Sequence, residues 1–526
     1  MRGWMKEEIF RLLPPLFFED PISSVRDMNG EVLKESRLRW AAIFTLSNGK
    51  RFFFKRDRTK GWLEYLKYTI FPSKGRKEWF VAYQSEKRHL NIPRPLGWME
   101  RIHRGLVSES YYLSAAVGSG TPLIEKPDRL NEDRTFAELV KIVKRMHDSG
   151  LDHRDLHAGN FLWDGESFYL TDLHRARFLT SLSVDQRLNN LSHLFHSLRS
   201  AWGEREQSRF LEGYFSGDPI PPQKRERFLQ TIHSEMDRLQ KRQWRSRTKR
   251  CLKNSTEFST LKEKEIRYYH RRDFPLDRFT KIVEAHLQLV QEKPSELVKQ
   301  DTKVLVSILN DGGNRICVKQ FRYPRWMDSF KEHFRRSKGL RSWVAGNALI
   351  VRGIPYLKPM GLMERGGWLG LKESFFLMEA SEVDQELDRY LFNGFKDFTE
   401  KRLFIKTFAQ WLSHFHTMGI YHQDMKTCNI LVSENEEGWN FRLLDLEDVL
   451  LDGKVDEKKL FKNFLQLNTS TPKNITRTGR LRFFREYLKG MAIIKNQKVF
   501  LRRLIKESTK RGFVYLSPQG VVIENR

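Results

Sequence analysis

The chain has 526 residues, 39% of them hydrophobic and 13% aromatic, with a formal net charge of +28 and a pI near 9.9. The length predicts roughly two to four domains, and so basic a field favours an anionic partner: nucleic acid, a membrane surface or a phosphorylated glycolipid. Three scattered cysteines exclude a disulfide scaffold and fit a reducing compartment, no apolar run of about 18 residues suggests a spanning helix, and Glu7 and Glu8 sit where a signal peptide needs its apolar core.

Residues 1–20 read as a short amphipathic helix broken at Pro14-Pro15, expected to pack on the first domain, with membrane contact as the alternative. Strand-like runs follow over 31–33, 38–46 and 51–55, the last two joined by a Ser47-Asn48-Gly49 hairpin signal. Lys55 ends the aromatic strand Phe52-Phe53-Phe54, where a kinase places the lysine that meets nucleotide phosphates. Ser73-Lys74-Gly75 opens a helix that carries Glu78, the expected partner of Lys55, with Glu86 in reserve. A strand over 110–115 would enter a hinge. From 135 to 150, Phe136, Leu139, Val140, Val143 and Met146 follow helical spacing and Gly150 supplies the stop.

Next comes His153-Arg154-Asp155-Leu156-His157-Ala158-Gly159-Asn160, then an apolar run ending at Asp172. An Asp, an Asn five positions on and a second Asp form the polar set of a phosphotransfer loop. Asp155 would orient the acceptor hydroxyl and take its proton, while Asn160 and Asp172 would hold Mg²⁺ or Mn²⁺ against the phosphates of ATP. Leu173-His174 follows in place of Phe-Gly, and neither half carries a glycine-rich phosphate loop: the turns near 34–37 and 299–303 are basic and glycine-free. Side-chain charge is expected to stand in there.

The pattern recurs. Asp424 and Asn429 repeat Asp155 and Asn160 at an offset of 269 (424 − 155 and 429 − 160), and Asp445 repeats Asp172 at 273 (445 − 172). Lys319 repeats Lys55, and Ser337-Lys338-Gly339 repeats Ser73-Lys74-Gly75, both at 264 (319 − 55 and 337 − 73). A period this long denotes a duplicated domain rather than a solenoid. The expected division is 1–240, a basic linker over 241–267, and 268–526. Ser342 stands where Glu78 stands in the first copy. Lys319 is therefore expected to lack a carboxylate on its neighbouring helix, which makes the first domain the stronger catalyst, with Asn347 as a substitute partner.

Asp155 to Asn160, the run Asp172-Leu173-His174-Arg175-Ala176-Arg177, and the phrases ending in Ile92-Pro93-Arg94-Pro95 and Gly353-Ile354-Pro355 resemble the bacterial lipopolysaccharide kinase group, which phosphorylates core heptose or Kdo sugars. The resemblance covers most of both halves. It implies an α+β fold of two tandem protein-kinase-like domains, each with a small β-rich lobe and a larger helical lobe. It also implies Mg·ATP in the cleft, and a sugar hydroxyl of a growing glycolipid as acceptor at the cytoplasmic face of the inner membrane. The protein is then cytoplasmic, peripheral on that membrane, and not a nucleic-acid binder. Two competing readings are an atypical protein serine/threonine kinase, disfavoured because no Ala-Pro-Glu or activation segment follows Asp172 or Asp445, and one catalytic domain joined to a non-catalytic binding domain.

Overall fold

The computed structural model describes the chain apart from residues 119, 218–219, 325–335, 368–369, 382–383, 437, 492, 518–519 and 525–526. Glu437, part of the turn expected after Val432, lies outside the described residues. The chain divides into two units, Met1–Gln240 and Lys241–Arg526, and the division falls within one helix, Pro222–Thr248.

The first unit opens with a six-stranded antiparallel sheet. Its strands are β1 (Arg2–Met5), β2 (Glu31–Glu35), β3 (Arg39–Thr45), β4 (Arg51–Arg58), β5 (Pro95–His103) and β6 (Leu106–Ala115), in the order β1-β5-β6-β4-β3-β2. The β3–β4 hairpin turns at Gly49, whose φ of 77° suits a residue without Cβ. Side chains alternate across the sheet. Trp40, Phe44, Phe54 and Tyr111 share one face with Ile9, Leu13, Phe17 and Val25 from the N-terminal segment. The helix expected over 1–20, broken at Pro14-Pro15, is present as two short helices on either side of that pair, Glu7–Phe10 and Leu16–Glu19, while Arg2–Met5 forms the edge strand β1 instead. Burying a side chain such as Phe17 contributes roughly 1.5–3 kcal/mol, so the segment is held by this core.

Two helices follow β4. The helix α1 (Gly61–Ile70) was not legible in the sequence. The helix α2 (Lys74–Lys87) starts at Ser73, whose hydroxyl accepts from the amide of Arg76. Gly75 is required there, since a Cβ would come within 2.5 Å of the Tyr111 carbonyl oxygen. The helical part is led by α3 (Asp133–Asp148), whose Phe136, Leu139, Val143 and Met146 are buried, and Gly150 follows it at φ 82°.

The second unit repeats this order of elements. Its seven-stranded antiparallel sheet runs Phe258–Glu263, Ile266–Arg271, Pro359–Gly367, Gly370–Glu379, Asn314–Arg322, Val304–Asp311, Lys299–Gln300. One face is covered by the helix Leu276–Glu292 through Phe279, Ile282 and Val283. The helix Lys338–Val351 starts at a capping Ser337, and the helices Phe398–Thr417, Glu457–Ser470 and Arg477–Gly490 build the helical part. The architecture is α+β.

Residues 241–267, read as a linker, are structured parts of the second unit. They hold the end of the helix Pro222–Thr248, a 3₁₀ turn at Lys249–Leu252 and the edge strand Phe258–Glu263. Apolar contact outweighs the basic composition. Cys251 and Phe258 are buried, the Cys251 carbonyl accepts from Trp343 Nε1 at 2.9 Å, and Phe258 packs edge-on against the Trp343 ring.

Candidate active site

In the first unit, strand alternation puts Lys55 on the face of β4 opposite the apolar core. Its Nζ lies 2.9 Å from Glu78 Oε2 on α2 and 2.5 Å from Asp172 Oδ1. Asp172 has φ 58° and ψ 50°, a costly region for a residue with a Cβ and one that recurs at functional sites. His174 Nδ1 hydrogen-bonds the same Asp172 oxygen at 2.8 Å. Arg39 bonds Asp57 at 3.0 Å and stands 3.9 Å from Asp172.

Burial alone would raise the Asp172 carboxyl, but hydrogen bonds and charge from His174 and Lys55 hold it well below the ordinary carboxylate range. Burial likewise opposes the charge on Lys55, and Glu78 with Asp172 overcomes it and lifts the ammonium above its usual value. Burial dominates at Glu78, whose carboxyl is pushed up in spite of Lys55. The lysine is thus kept charged between two carboxylates.

The loop below is fixed by backbone bonds. Asn160 Nδ2 donates to the Asp155 carbonyl at 2.9 Å, and the Thr171 amide donates to the Asn160 carbonyl at 2.9 Å. His153 is fully buried and bonds the Thr171 carbonyl through Nε2 at 3.1 Å, which ties the loop to the strand that delivers Asp172. Asp155 Oδ2 accepts from Arg175 at 3.0 Å. Asn160 Nδ2 is engaged by the Asp155 carbonyl, and Oδ1 is the atom of that amide able to ligate a metal. That oxygen and the Asp172 carboxylate are the hard donors that Mg²⁺ takes. Glu78, Asp172 and His174 also offer ligand atoms within 4.8 Å of one another.

The second unit builds the same frame. Asn429 Nδ2 donates to the Asp424 carbonyl at 2.8 Å, His422 bonds the Leu444 carbonyl at 3.1 Å, and Asp445 again has φ 50°. Asp424 meets Lys426 at 2.9 Å and Gln466 at 3.2 Å. Burial opposes both charges of the Lys319–Asp445 contact, 2.6 Å long, yet the attraction keeps the lysine raised and the carboxyl lowered.

The expected gap at Ser342 is filled. Glu447 Oε1 and Oε2 lie 2.9 and 3.0 Å from Lys319 Nζ, and Ser342 Oγ donates to Glu447 at 3.2 Å. Asn347 takes no part, since it bonds Trp343 and Arg271. The lysine therefore has its second carboxylate, supplied from the segment after Asp445 instead of from the neighbouring helix. That corrects the basis for ranking the first unit above the second. The signal was present: Glu447 follows Asp445 as His174 follows Asp172, at the same offset of 273 (447 − 174).

The Lipopolysaccharide kinase (Kdo/WaaP) family model matches residues 121–214 and 326–487, covering the Asp–Asn–Asp set of each unit. The chain is similar to this family in both units. This chain is a phosphotransferase with an alcohol group as acceptor. The lipopolysaccharide core heptose(I) kinase WaaP of Escherichia coli (strain K12) is 25% identical over 223 residues, 38% of this chain and 83% of that protein. A 3-deoxy-D-manno-octulosonic acid kinase of Stenotrophomonas maltophilia (strain R551-3) is 29% identical over 120 residues, 23% of this chain and 47% of that protein. Among solved structures, WaaP in complex with acyl carrier protein aligns at a TM-score of 0.34 with 22% identity, over 45% of this chain and 98% of that one. Amicoumacin kinase hAmiN in complex with AMP-PNP, Ca²⁺ and Ami aligns at 0.31 with 12% identity, over 45% and 86%. The sequence reading missed Glu447, Arg39 and Arg175: Glu447 and Arg39 meet their partners across a long stretch of chain, whereas Arg175 lies only 20 residues from Asp155.

Proposed function

We propose that the chain is an ATP-dependent kinase that transfers the γ-phosphate to a sugar hydroxyl of lipopolysaccharide core, heptose or Kdo, with a kinase-like site in each of two tandem units. The observation that carries this reading is the lysine held between two carboxylates beside an Asp–Asn loop, built twice. Lys55 and Lys319 would meet the triphosphate, preorganised by Glu78 and Glu447. Asp155 and Asp424 would orient the acceptor hydroxyl and accept its proton. Asn160 with Asp172, and Asn429 with Asp445, would hold Mg²⁺, which neutralises charge on the phosphate oxygens when bound. The sugar as acceptor rests on the two named relatives.

Peripheral contact with the cytoplasmic face of an anionic membrane is part of the proposal. Its support is the net charge of +28 and α1, where Trp62 is 68% and Ile70 79% exposed beside Arg58, Lys60, Lys67 and Lys74. An exposed apolar face with basic flanks suits an anionic bilayer surface. Among the described residues no helix is long and apolar enough to cross a membrane.

The test is ADP release by the purified chain with lipid A–core acceptors, set beside casein as a generic protein substrate. Turnover on the glycolipid alone is expected. Turnover on casein alone would replace this reading with that of a protein kinase.

A further inference from the structure

The face of β4 turned away from Lys55 carries a second polar site. Arg56 pairs across the sheet with Trp40 on β3 and Tyr111 on β6. The next cross-strand row, Ala41, Lys55 and Tyr112, points the other way. Beyond the apolar core, the Trp40–Arg56–Tyr111 row lines an open cavity of about 580 Å³, walled also by Asp20, Ile22, Ser23 and Arg26 and by the β2–β3 turn at Glu35, Ser36 and Arg37.

Donors are left over in this cavity. Trp40 Nε1 and Arg56 Nε are buried and have no hydrogen-bond partner among the described residues, and Arg101 Nε has only a shared ion pair with Glu109 at 3.3 Å. Arg56 itself is only 7% exposed. Its ion-pair partner among the described residues, Glu109, stands 3.5 Å away, already accepts from Arg58 at 2.7 Å and from the Tyr111 hydroxyl, and is also 3.3 Å from Arg101. Three guanidinium groups thus share one carboxylate. Across the whole lining, five arginines face three carboxylates, a surplus of two positive charges (5 − 3). Burial and the neighbouring Arg58 oppose the charge on Arg56 and lower its pKa, so the positive charge there is poorly compensated. Unpaired buried donors of this kind are uncommon and costly.

The second unit shows what a filled version looks like. Gln320 occupies the position of Arg56 at the repeat offset of 264 (320 − 56), in a cross-strand row with Leu305 and Phe375. Its amide is engaged at both ends: Oε1 meets His286 at 3.2 Å and the nitrogen donates to Glu373 at 2.6 Å. His286 comes from the helix Leu276–Glu292, which covers that face. The first unit has an arginine and an open cavity at the matching place.

We propose that the cavity between Trp40, Arg56 and Arg101 binds a phosphate monoester, its oxygens accepting from the guanidinium groups of Arg56, Arg58 and Arg101 that share Glu109 while Arg37 closes over it from the β2–β3 turn. The donors recognise the phosphate itself, which a soluble sugar phosphate or a lipid headgroup could equally present. The site is separate from the catalytic cleft, because the two lie on opposite faces of one sheet.

The test follows the thermal unfolding midpoint of the full chain, titrated with inorganic phosphate and with glucose 6-phosphate, and in a parallel arm the sedimentation of the chain with phosphatidic acid vesicles against phosphatidylcholine vesicles. A rise of roughly 3–6 °C at tenfold saturation is expected. It should persist in Asp172→Ala and be largely lost in Arg56→Gln and in the exposed-rim variant Arg37→Ser, which keeps the test valid if Arg56→Gln fails to fold. Response to glucose 6-phosphate marks a soluble ligand, and Arg37-dependent sedimentation with phosphatidic acid alone marks a headgroup. A midpoint unmoved by either phosphate together with no Arg37-dependent sedimentation overturns the proposal, as does a response lost in Asp172→Ala or unchanged in Arg37→Ser.

Discussion

Lys319 is clamped by Glu447, a residue from the turn after Asp445, whereas Lys55 is clamped by Glu78 from the helix α2. The two units reach one electrostatic result with carboxylates at different chain positions. Where the first has Glu78 and His174, the second has Ser342 and Glu447. Ser342 is small enough to leave room for the incoming carboxylate and donates a hydrogen bond to it. A lysine buried on this scale needs the compensation, since an unpaired buried charge is strongly disfavoured.

Glu447→Gln is expected to lower turnover at the second site by about 10²-fold, measured as ADP release in an Asp172→Ala background that silences the first. Ser342→Ala should cost far less. The exchange Ser342→Glu with Glu447→His, which recreates the first unit's arrangement, should recover part of the loss. Unchanged turnover in Glu447→Gln would mean that Asp445 alone positions Lys319.

Asp155→Ala and Asp424→Ala are each expected to cut transfer at their own site by about 10²–10⁴-fold, the usual contribution of a positioned general base. Both side chains are partly exposed at a loop, so circular dichroism and the unfolding midpoint should stay close to wild type. The single-site rates, read with the other unit disabled by Asp445→Ala or Asp172→Ala, show whether each loop serves its own cleft.

Acid should destabilise both units well before carboxylates titrate. His147 bonds the Tyr214 hydroxyl at 2.8 Å, and His416 bonds that of Tyr487 at 2.7 Å. Burial pushes their pKa values down to about 3 and about 4. The unfolded imidazoles bind protons from about pH 6.5 downward, so between there and the folded values the unfolded state holds more protons and stability falls as pH falls. Each histidine contributes a slope of about 1.4 kcal/mol per pH unit. Urea unfolding midpoints at about pH 7, 6 and 5 should drop accordingly, and His147→Gln should remove one proton's worth of that slope. A flat profile over this range would show that the histidines are not buried in neutral form.

Association with anionic vesicles is expected to weaken with salt, because exposed charges are screened beyond roughly 8 Å at physiological ionic strength. Trp62→Asp and Leu66→Asp on α1 should weaken it further at fixed salt. Sedimentation indifferent to both changes would remove α1 and the basic field as the membrane contact.

Local order in the sequence determined a good deal. Ser73-Lys74-Gly75 named a helix start because a cap hydroxyl and a close-approach glycine are local requirements, met again at Ser337 and Gly339. Lys55, Asn160 and Asp172, with Lys319, Asn429 and Asp445, were legible because loop spacing and the 264-to-273 repeat tie them to one pattern, and the structure brings each lysine to its aspartate. Tertiary structure decided that Glu447 answers Lys319: the repeat aligns Glu447 with His174, but it lies 128 residues from the lysine and only folding makes the two neighbours. It likewise turned residues 241–267 from a basic linker into an edge strand and a buried Cys251, because apolar contact with Trp343 outweighs composition. The arginine-lined cavity is of the same kind. Alternation along β4 separates Lys55 from Arg56, but which face stays open depends on what packs there, a helix in the second unit and a cavity in the first.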